Sequence, residues 1–386
     1  MQWLRWDGWA SVSGSTPAAT ILTEVKTVLP LCAAGFVTAF GAHSVASGLG
    51  FLQTNLLALG LILAIYDGAE VLLKPVFGTL ADRIGPRPVL IAGLATFAAA
   101  SAAFTLIDNV AITRFGQGVA AAAFSPAASA MVARLTPDNA RGKAFGRYGA
   151  WKGIGYTTGP LIGGILIHFG SFDVLFLTVA AMAAGVALWA AKAVPNLEPL
   201  PRHRQTVKDL AKRLSHKDFL KPTAALAAST AALATGVGFL PVKAAQHGPI
   251  VTGAAISLLA ITAALIQPRI GRALDANRIT TKNGTRAGIL AAAAGFVAAA
   301  SIPGLPGTLT AAVLIGAGSG AVTPLAFAAL ARTTPENRLG QTMGSAEVGR
   351  ELGDAGGPLL VGGVATIASL PAGLLALAAV IALTAW

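Results

Sequence analysis

Residues 55–90 read NLLALGLILAIYDGAEVLLKPVFGTLADRIGPRPVL. An apolar run opens the stretch, charged residues interrupt it at Asp67, Glu70 and Lys74, and a turn rich in glycine and arginine closes it. A helix of roughly 20 residues crosses a hydrocarbon core of about 30 Å, so the run predicts a membrane span over 55–77. The three charged residues recur at spacings of three and four and therefore share one face of that helix, with Asp67 near mid-membrane. Ionised groups at that depth demand partners or protons.

The rest of the chain repeats the pattern. Its 386 residues are 54% hydrophobic and 11% charged, with a mean hydropathy of +0.69. That is more apolar surface than a water-soluble chain could cover. The 45 glycines suit helices that pack in lipid through small residues. Apolar runs with turn signals between them predict spans near 27–47, 55–77, 89–107, 110–133, 147–169, 172–193, 222–244, 248–270, 285–302, 308–332, 345–367 and 370–386. The expected fold is an all-α integral membrane protein of about 12 transmembrane helices. Cys32 is the single cysteine, which excludes an internal disulfide and a cysteine-based metal cluster. Residues 1–26 carry Trp3, Trp6 and Trp9 without a continuous apolar core. They read either as an interfacial or cytoplasmic anchor or as a disordered tail, and not as a cleaved signal.

The net charge of +12 is distributed by side. Arg83 and Arg87 follow span 2; Arg134, Arg141, Lys143 and Arg147 follow span 4. Arg269, Arg272, Arg278, Lys282 and Arg286 follow span 8, and Arg332 and Arg338 follow span 10. The intervening connections hold Asp108, Asp173 and little other charge, apart from Lys243 near an outer helix end. Basic connections face the cytoplasm, so an even number of spans puts both termini there, and the positive charge speaks for a membrane rather than for nucleic acid. Ala-rich composition and short loops fit a bacterial inner membrane. The connection 194–221 carries seven Lys and Arg, while Val207, Leu210, Leu214 and Phe219 recur at roughly helical spacing. It reads as a basic linker with a short amphipathic helix on the anionic inner leaflet.

Shifted by 198 residues the chain meets itself: Arg134 falls on Arg332, Pro137 on Pro335, Asn139 on Asn337, Gly142 on Gly340 and Gly146 on Gly344. The same shift carries Pro126 onto Pro324, Gly159 and Pro160 onto Gly357 and Pro358, and Gly164 onto Gly362. An ordered set of this kind marks a duplicated six-helix unit, here 27–193 and 222–386. Parallel repeats with a binding site between them are a known transporter plan.

The stretch Gly78-Thr-Leu-Ala-Asp82-Arg83-Ile-Gly85-Pro-Arg87-Pro resembles the signature loop after helix 2 of the major facilitator superfamily. Gly271-Arg272-Ala-Leu-Asp275 is a degraded copy in the second half. Glycine allows a tight turn, and a carboxylate such as Asp82 can accept from N–H groups at a helix start. The resemblance implies that this helix is the eleventh and that the contact latches the halves when the cytoplasmic side is closed. Gly155-Tyr-Thr-Thr-Gly159-Pro160-Leu-Ile-Gly163-Gly164 is similar to the antiporter motif of drug:proton exporters in that superfamily, with Gly353, Gly357, Pro358 and Gly362 in matching places. Generic small-residue packing remains the other reading of those glycines. Arg114-Phe-Gly-Gln117-Gly118 resembles the family pattern in which a buried arginine aids proton transfer, with snorkelling to the outer surface as the alternative.

Family architecture further implies that helices 2 and 11 lie side by side between the halves. The stripe Asp67, Glu70 and Lys74 would then meet Glu347, Arg350, Glu351 and Asp354, either as a network that breaks and re-forms or as a static one. An acidic residue, frequent in helix 1 of such antiporters, is missing from Thr27–Ser47, which offers His43 instead. A central cavity lined by helices 1, 4, 7 and 10 is also implied, with Trp151, Phe124, Phe36 and Phe40 as candidate apolar lining. The expected function is proton-coupled efflux of a small molecule by alternating access, with Asp67, Glu70, Arg114 and His43 as proton-coupling candidates. The alternatives are a metabolite importer or uniporter, or a receptor or scaffold that transports nothing. No nucleotide loop, His/Cys metal cluster or nucleophile elbow is present in the sequence, so neither an enzyme nor a cofactor or metal is expected. The expected partners are substrate, protons and the bilayer, and the expected state is a monomer.

Overall fold

The computed structural model describes residues 28–52, 55–136, 141–199, 217–333 and 339–385. Among them lie twelve α-helices and no strand. They are α1 (Leu29–Leu52), α2 (Leu56–Ile84), α3 (Pro86–Ala103), α4 (Val110–Leu135), α5 (Arg141–Phe169), α6 (Phe172–Ala193), α7 (Lys217–Ala244), α8 (Gly248–Asp275), α9 (Thr281–Ser301), α10 (Gly304–Thr333), α11 (Leu339–Ile367) and α12 (Leu370–Ala382). The tryptophan-bearing stretch 1–26 and the linker at Val207, Leu210 and Leu214 lie outside the described residues.

Side-chain oxygens fix several helix starts. Asn55 Oδ1 accepts from the N–H groups of Leu57 and Ala58 at 3.0 and 3.1 Å, and Asn109, Ser171, Thr280 and Ser369 cap α4, α6, α9 and α12 in the same manner. The predicted end of span 2 at residue 77 falls short by about two turns, because polarity ends an apolar run without ending a helix. The helix continues through Pro75 to Ile84 and stops at Gly85, whose φ of +91° suits glycine, with Pro86 opening α3. Gly78, read as part of the turn, is therefore inside the helix, and Gly85 alone makes the turn. Spans 5 and 11 likewise start earlier than predicted, at Arg141 and Leu339.

Eight stretches of the described residues are long and apolar enough to cross a membrane, one of them, Phe219–Leu274, holding both α7 and α8. The helices outside that set include α5 and α11, the two richest in glycine and polar side chains. They can be polar because protein covers them: α5 packs on α1 and α8, and α11 on α7 and α2.

Within the first half α1 packs on α5, α3 on α4, α2 on α4 and α3 on α6; the second half repeats these pairs as α7 on α11, α9 on α10, α8 on α10 and α9 on α12. The halves meet along two seams, α2 with α11 and α5 with α8, and α1 meets α7 between them.

The seams are tight toward one end only. At the end away from the basic connections, Gly60 approaches Pro358, Gly362 approaches Leu56, Gly164 approaches Pro249 and Gly253 approaches Pro160, all backbone to backbone. Leu161 N–H also donates to Ser257 Oγ across the α5–α8 seam at 3.2 Å. On α2, the face that meets α11 as far as Lys74 continues to Gly78, where a side chain would find, among the described residues, only Pro126 of α4, 3.9 Å away. On α5, Gly153 and Gly149 have no described neighbour within 4 Å, and neither has Gly271 of α8. Among the described residues, the close backbone contacts between the halves gather at the end away from the basic connections.

Candidate functional site

Charged side chains gather where the closed part of the α2–α11 seam gives way to the open part. Lys74 sits between Glu70, one turn before it on α2, and Glu351 of α11, in ion-pair contact with both. Glu70 and Glu351 are buried, at 8% and 7% exposure. Two carboxylates on one ammonium offset much of the desolvation cost, which would be several kcal/mol per ion if left unmatched. Arg350 Nη1 pairs with Glu347 at 2.9 Å, and the Arg350 carbonyl accepts from Thr230 Oγ1 of α7 at 2.7 Å. Carboxylate oxygens of Asp67, Glu351 and Asp354 lie within 4.8 Å of one another.

A second polar group lies in the first half. Arg114, at 3% exposure, donates to Gln117 Oε1 at 3.0 Å and to the Ala42 carbonyl at 3.5 Å, and it stands over the Tyr66 ring at 4.2 Å from the centroid. Gln117 in turn donates to Ser101 Oγ at 2.9 Å. These partners replace the snorkelling alternative, since a buried ring face and two oxygens hold the guanidinium inside the bundle. His43 of α1 lies against Tyr156 of α5, ring centroids 4.3 Å apart, and its Nδ1 has no hydrogen-bond partner among the described residues.

Asp82 and Arg83, grouped with this network by the sequence, stand apart from it. Both are exposed in the last turn of α2, with no ion pair among the described residues. The signature loop lies instead against the end of α6 and the start of the linker, and the end of α4 is bonded to the same linker stretch. Arg87 donates to the Ala191 carbonyl at 2.5 Å and Arg134 to the Glu198 carbonyl at 2.6 Å, while Gly85 lies beside the Leu197 carbonyl. The side chain of Asp275 lies outside the described residues.

The motif glycines of α5 face two ways. Gly155, Gly159 and Gly163 pack on Phe36, Phe40 and Ser44 of α1, and Gly164 packs on Pro249 of α8. The α11 set repeats this, Gly353 and Gly357 against Ala227 and Ala231 of α7, and Gly362 against Leu56 of α2. Phe40 and Phe124 are core residues at 2% and 3% exposure, and Phe36 makes an edge contact with Trp151 at 6.3 Å. Sequence reasoning passed over Tyr148, Lys152 and Tyr156, a stripe of α5 at four-residue spacing. Lys152 Nζ lies 6.0 and 5.8 Å from the two tyrosine ring centroids.

The family model of the Major Facilitator Superfamily matches residues 31–358. The chain belongs to that superfamily. It is therefore a multi-pass membrane protein of a transporter family, and its two six-helix bundles are the major facilitator fold. It is 32% identical over 142 residues to the inner membrane transport protein YajR of Escherichia coli, covering 36% of this chain and 31% of YajR. It is also 32% identical over 132 residues to multidrug resistance protein 2 of Bacillus subtilis, covering 33% of each. The matched stretch thus spans about a third of the length of either relative. A solved bacterial homolog of the human lysosomal transporter Spinster, inward-facing and occupied, has the same fold, with a TM-score of 0.78 over 96% of both chains at 15% identity.

Proposed function

We propose that this superfamily member is a proton-coupled exporter of a small molecule, with the basic end in the cytoplasm and the bundles 27–193 and 222–386 as its moving bodies. The observation that carries the coupling is the convergence of Asp67, Glu351 and Asp354 across the α2–α11 seam. Crowding three carboxylates in low-dielectric surroundings costs electrostatic energy that a bound proton relieves, and parting the helices relieves it too. Proton binding and seam closure therefore favour each other, which is the linkage an antiporter requires. Asp67 is the better proton carrier of the two α2 carboxylates, because Glu70 already shares Lys74. Similarity to a multidrug resistance protein supports a drug-like substrate. Splayed basic ends and a closed opposite end fit a state open to the cytoplasm and ready to load.

The test uses the full chain in proteoliposomes carrying a pH gradient. Asp67→Asn should abolish gradient-driven efflux while leaving ligand binding measurable. Unchanged efflux removes Asp67 from the coupling, and proton flux in the same direction as substrate would make the protein an importer. A receptor or scaffold would bind without moving ligand across the sealed vesicle.

A further inference from the structure

The internal repeat compares the two seams position by position. Under the 198-residue shift, Lys152 of α5 stands where Arg350 stands on α11. The α11 carboxylates Glu347, Glu351 and Asp354 correspond to Gly149, Gly153 and Tyr156 on α5. On the other side of each seam the shift is 193 residues, which sets Gly253 on Gly60 and Gly271 on Gly78. It then sets Ala260, Ala263 and Gln267 of α8 where α2 carries Asp67, Glu70 and Lys74. A cation was kept in both halves, and the acidic residues around it in one.

Lys74 and Arg350 are consequently neutralised in place, whereas no described carboxylate pairs with Lys152. Its stem lies along Gly35 of α1, and its ammonium lies near two tyrosine rings at distances where cation–π attraction is weak; Glu347, Arg350 and Lys74 lie within electrostatic range, but none of the described residues makes an ion pair or hydrogen bond with it. Beside it, Tyr148 is 6% exposed and its hydroxyl has no hydrogen-bond partner among the described residues. A buried donor left unmatched is costly, and so is an unmatched ammonium. Next to both, the α5 face at Gly149 and Gly153 opens on the space between the halves.

We infer that Lys152 and Tyr148 form an anion subsite, and that the molecule moved by this protein presents a carboxylate to it. A carboxylate accepts both a charge-assisted bond from Nζ and one from the phenol, satisfying the two donors at once. The small residues at Gly149 and Gly153 leave room for the body of the ligand, and the absence of a built-in counter-ion keeps the ammonium available. This identifies the substrate class and rests on transport through the space between the halves, but not on proton coupling.

Binding without any gradient separates the two claims. Purified protein in nanodiscs is titrated with three carboxylate/amide pairs of increasing size: benzoate and benzamide, 1-naphthoate and 1-naphthamide, dansylglycine and dansylglycinamide. The carboxylate member of at least one pair should bind about tenfold tighter than its amide, the scale of one charge-assisted bond. Lys152→Gln should erase that preference while amide binding persists, Lys152→Arg should keep it, and Tyr148→Phe should reduce it a few-fold. No carboxylate preference in any pair overturns the proposal. A preference that survives Lys152→Gln also overturns it, as does a Lys152→Gln variant altered only in the pH dependence of transport, which would make the lysine a mobile partner of the acidic cluster. Failure here leaves the Asp67→Asn experiment untouched, and failure there leaves this one standing.

Discussion

The α2–α11 and α5–α8 seams have the same shape and different chemistry. In each, a glycine of one helix receives the carbonyl of a proline in the other, Gly60 with Pro358 and Gly253 with Pro160. One seam then continues into ion pairs, Lys74 with Glu70 and Glu351, and the other into Ala260, Ala263 and the exposed Gln267. Two copies that share a hinge geometry but not a charge pattern suggest separate duties. Closing the end away from the basic loops is common to both, and the proposed response to protons would belong to one.

The sharpest way to break the shared half of that comparison is to fill the glycines. A side chain at Gly60 would put its Cβ 2.5 Å from the Pro358 carbonyl oxygen, and one at Gly253 would collide with the Pro160 carbonyl. Backbone on both sides leaves no flexible end to yield, and overpacking of this kind costs about 1–3 kcal/mol or more. Gly60→Val and Gly253→Val should each hold the non-basic end open. Transport should fall by about tenfold or more, the equivalent of about 1.4 kcal/mol against the closed state. The check is cysteine labelling near Ser369 and Gly248 from that side in a Cys32→Ser background, with labelling raised in both variants. An effect confined to Gly60→Val would show that the seams do not share the closing function.

The charge difference predicts unequal stability. Lys74→Met leaves Glu70 and Glu351 buried without their cation and should destabilise the protein by about 3–5 kcal/mol. Gln267→Met at the matching place on α8 should change stability by no more than about 0.5 kcal/mol, because the side chain is exposed and makes no ion pair. Thermal unfolding in detergent compares the two. Near-equal losses would mean that the ion pairs add nothing to the α2–α11 seam beyond packing.

Much of this comparison could be read before any coordinates. Apolar runs gave twelve spans, and the ordered matches from Arg134 to Gly164 gave the duplication. Helix ends were harder at the basic side, where α2 runs on through Lys74, Gly78 and Asp82, because a helix leaving the hydrocarbon becomes polar without breaking; its stop depends on one positive φ at Gly85. The stripes on α2 and α11 were visible as i, i+3 and i+4 patterns, but their union needed the family resemblance, since periodicity names a face and not the face opposite. Lys152 was overlooked because a single lysine between two tyrosines forms no stripe of charge, unlike the acidic and basic runs on α2 and α11. Its meaning comes from what α5 lacks relative to α11. Arg114 read as buried and functional with snorkelling outward as the alternative, and the sequence could not exclude the latter, for the Tyr66 ring that holds it lies 48 residues away on another helix.

The smallest expected effect on stability concerns the end where the halves are apart. Asp82 is exposed here and pairs with no described residue, so Asp82→Asn should leave thermal stability within about 0.5 kcal/mol. The resemblance of its loop to the superfamily signature implies a contact with α11 formed only when the basic ends come together. A residue that binds in one of two states shifts their balance by its differential interaction alone. Asp82→Asn should therefore favour the conformation described here, raising cysteine labelling from the basic side along Gly149 and Gly153 and slowing transport without weakening ligand binding. Loss of stability equal to that of Lys74→Met would mean that Asp82 already holds a partner in this state, and the two ends of α2 would then no longer differ.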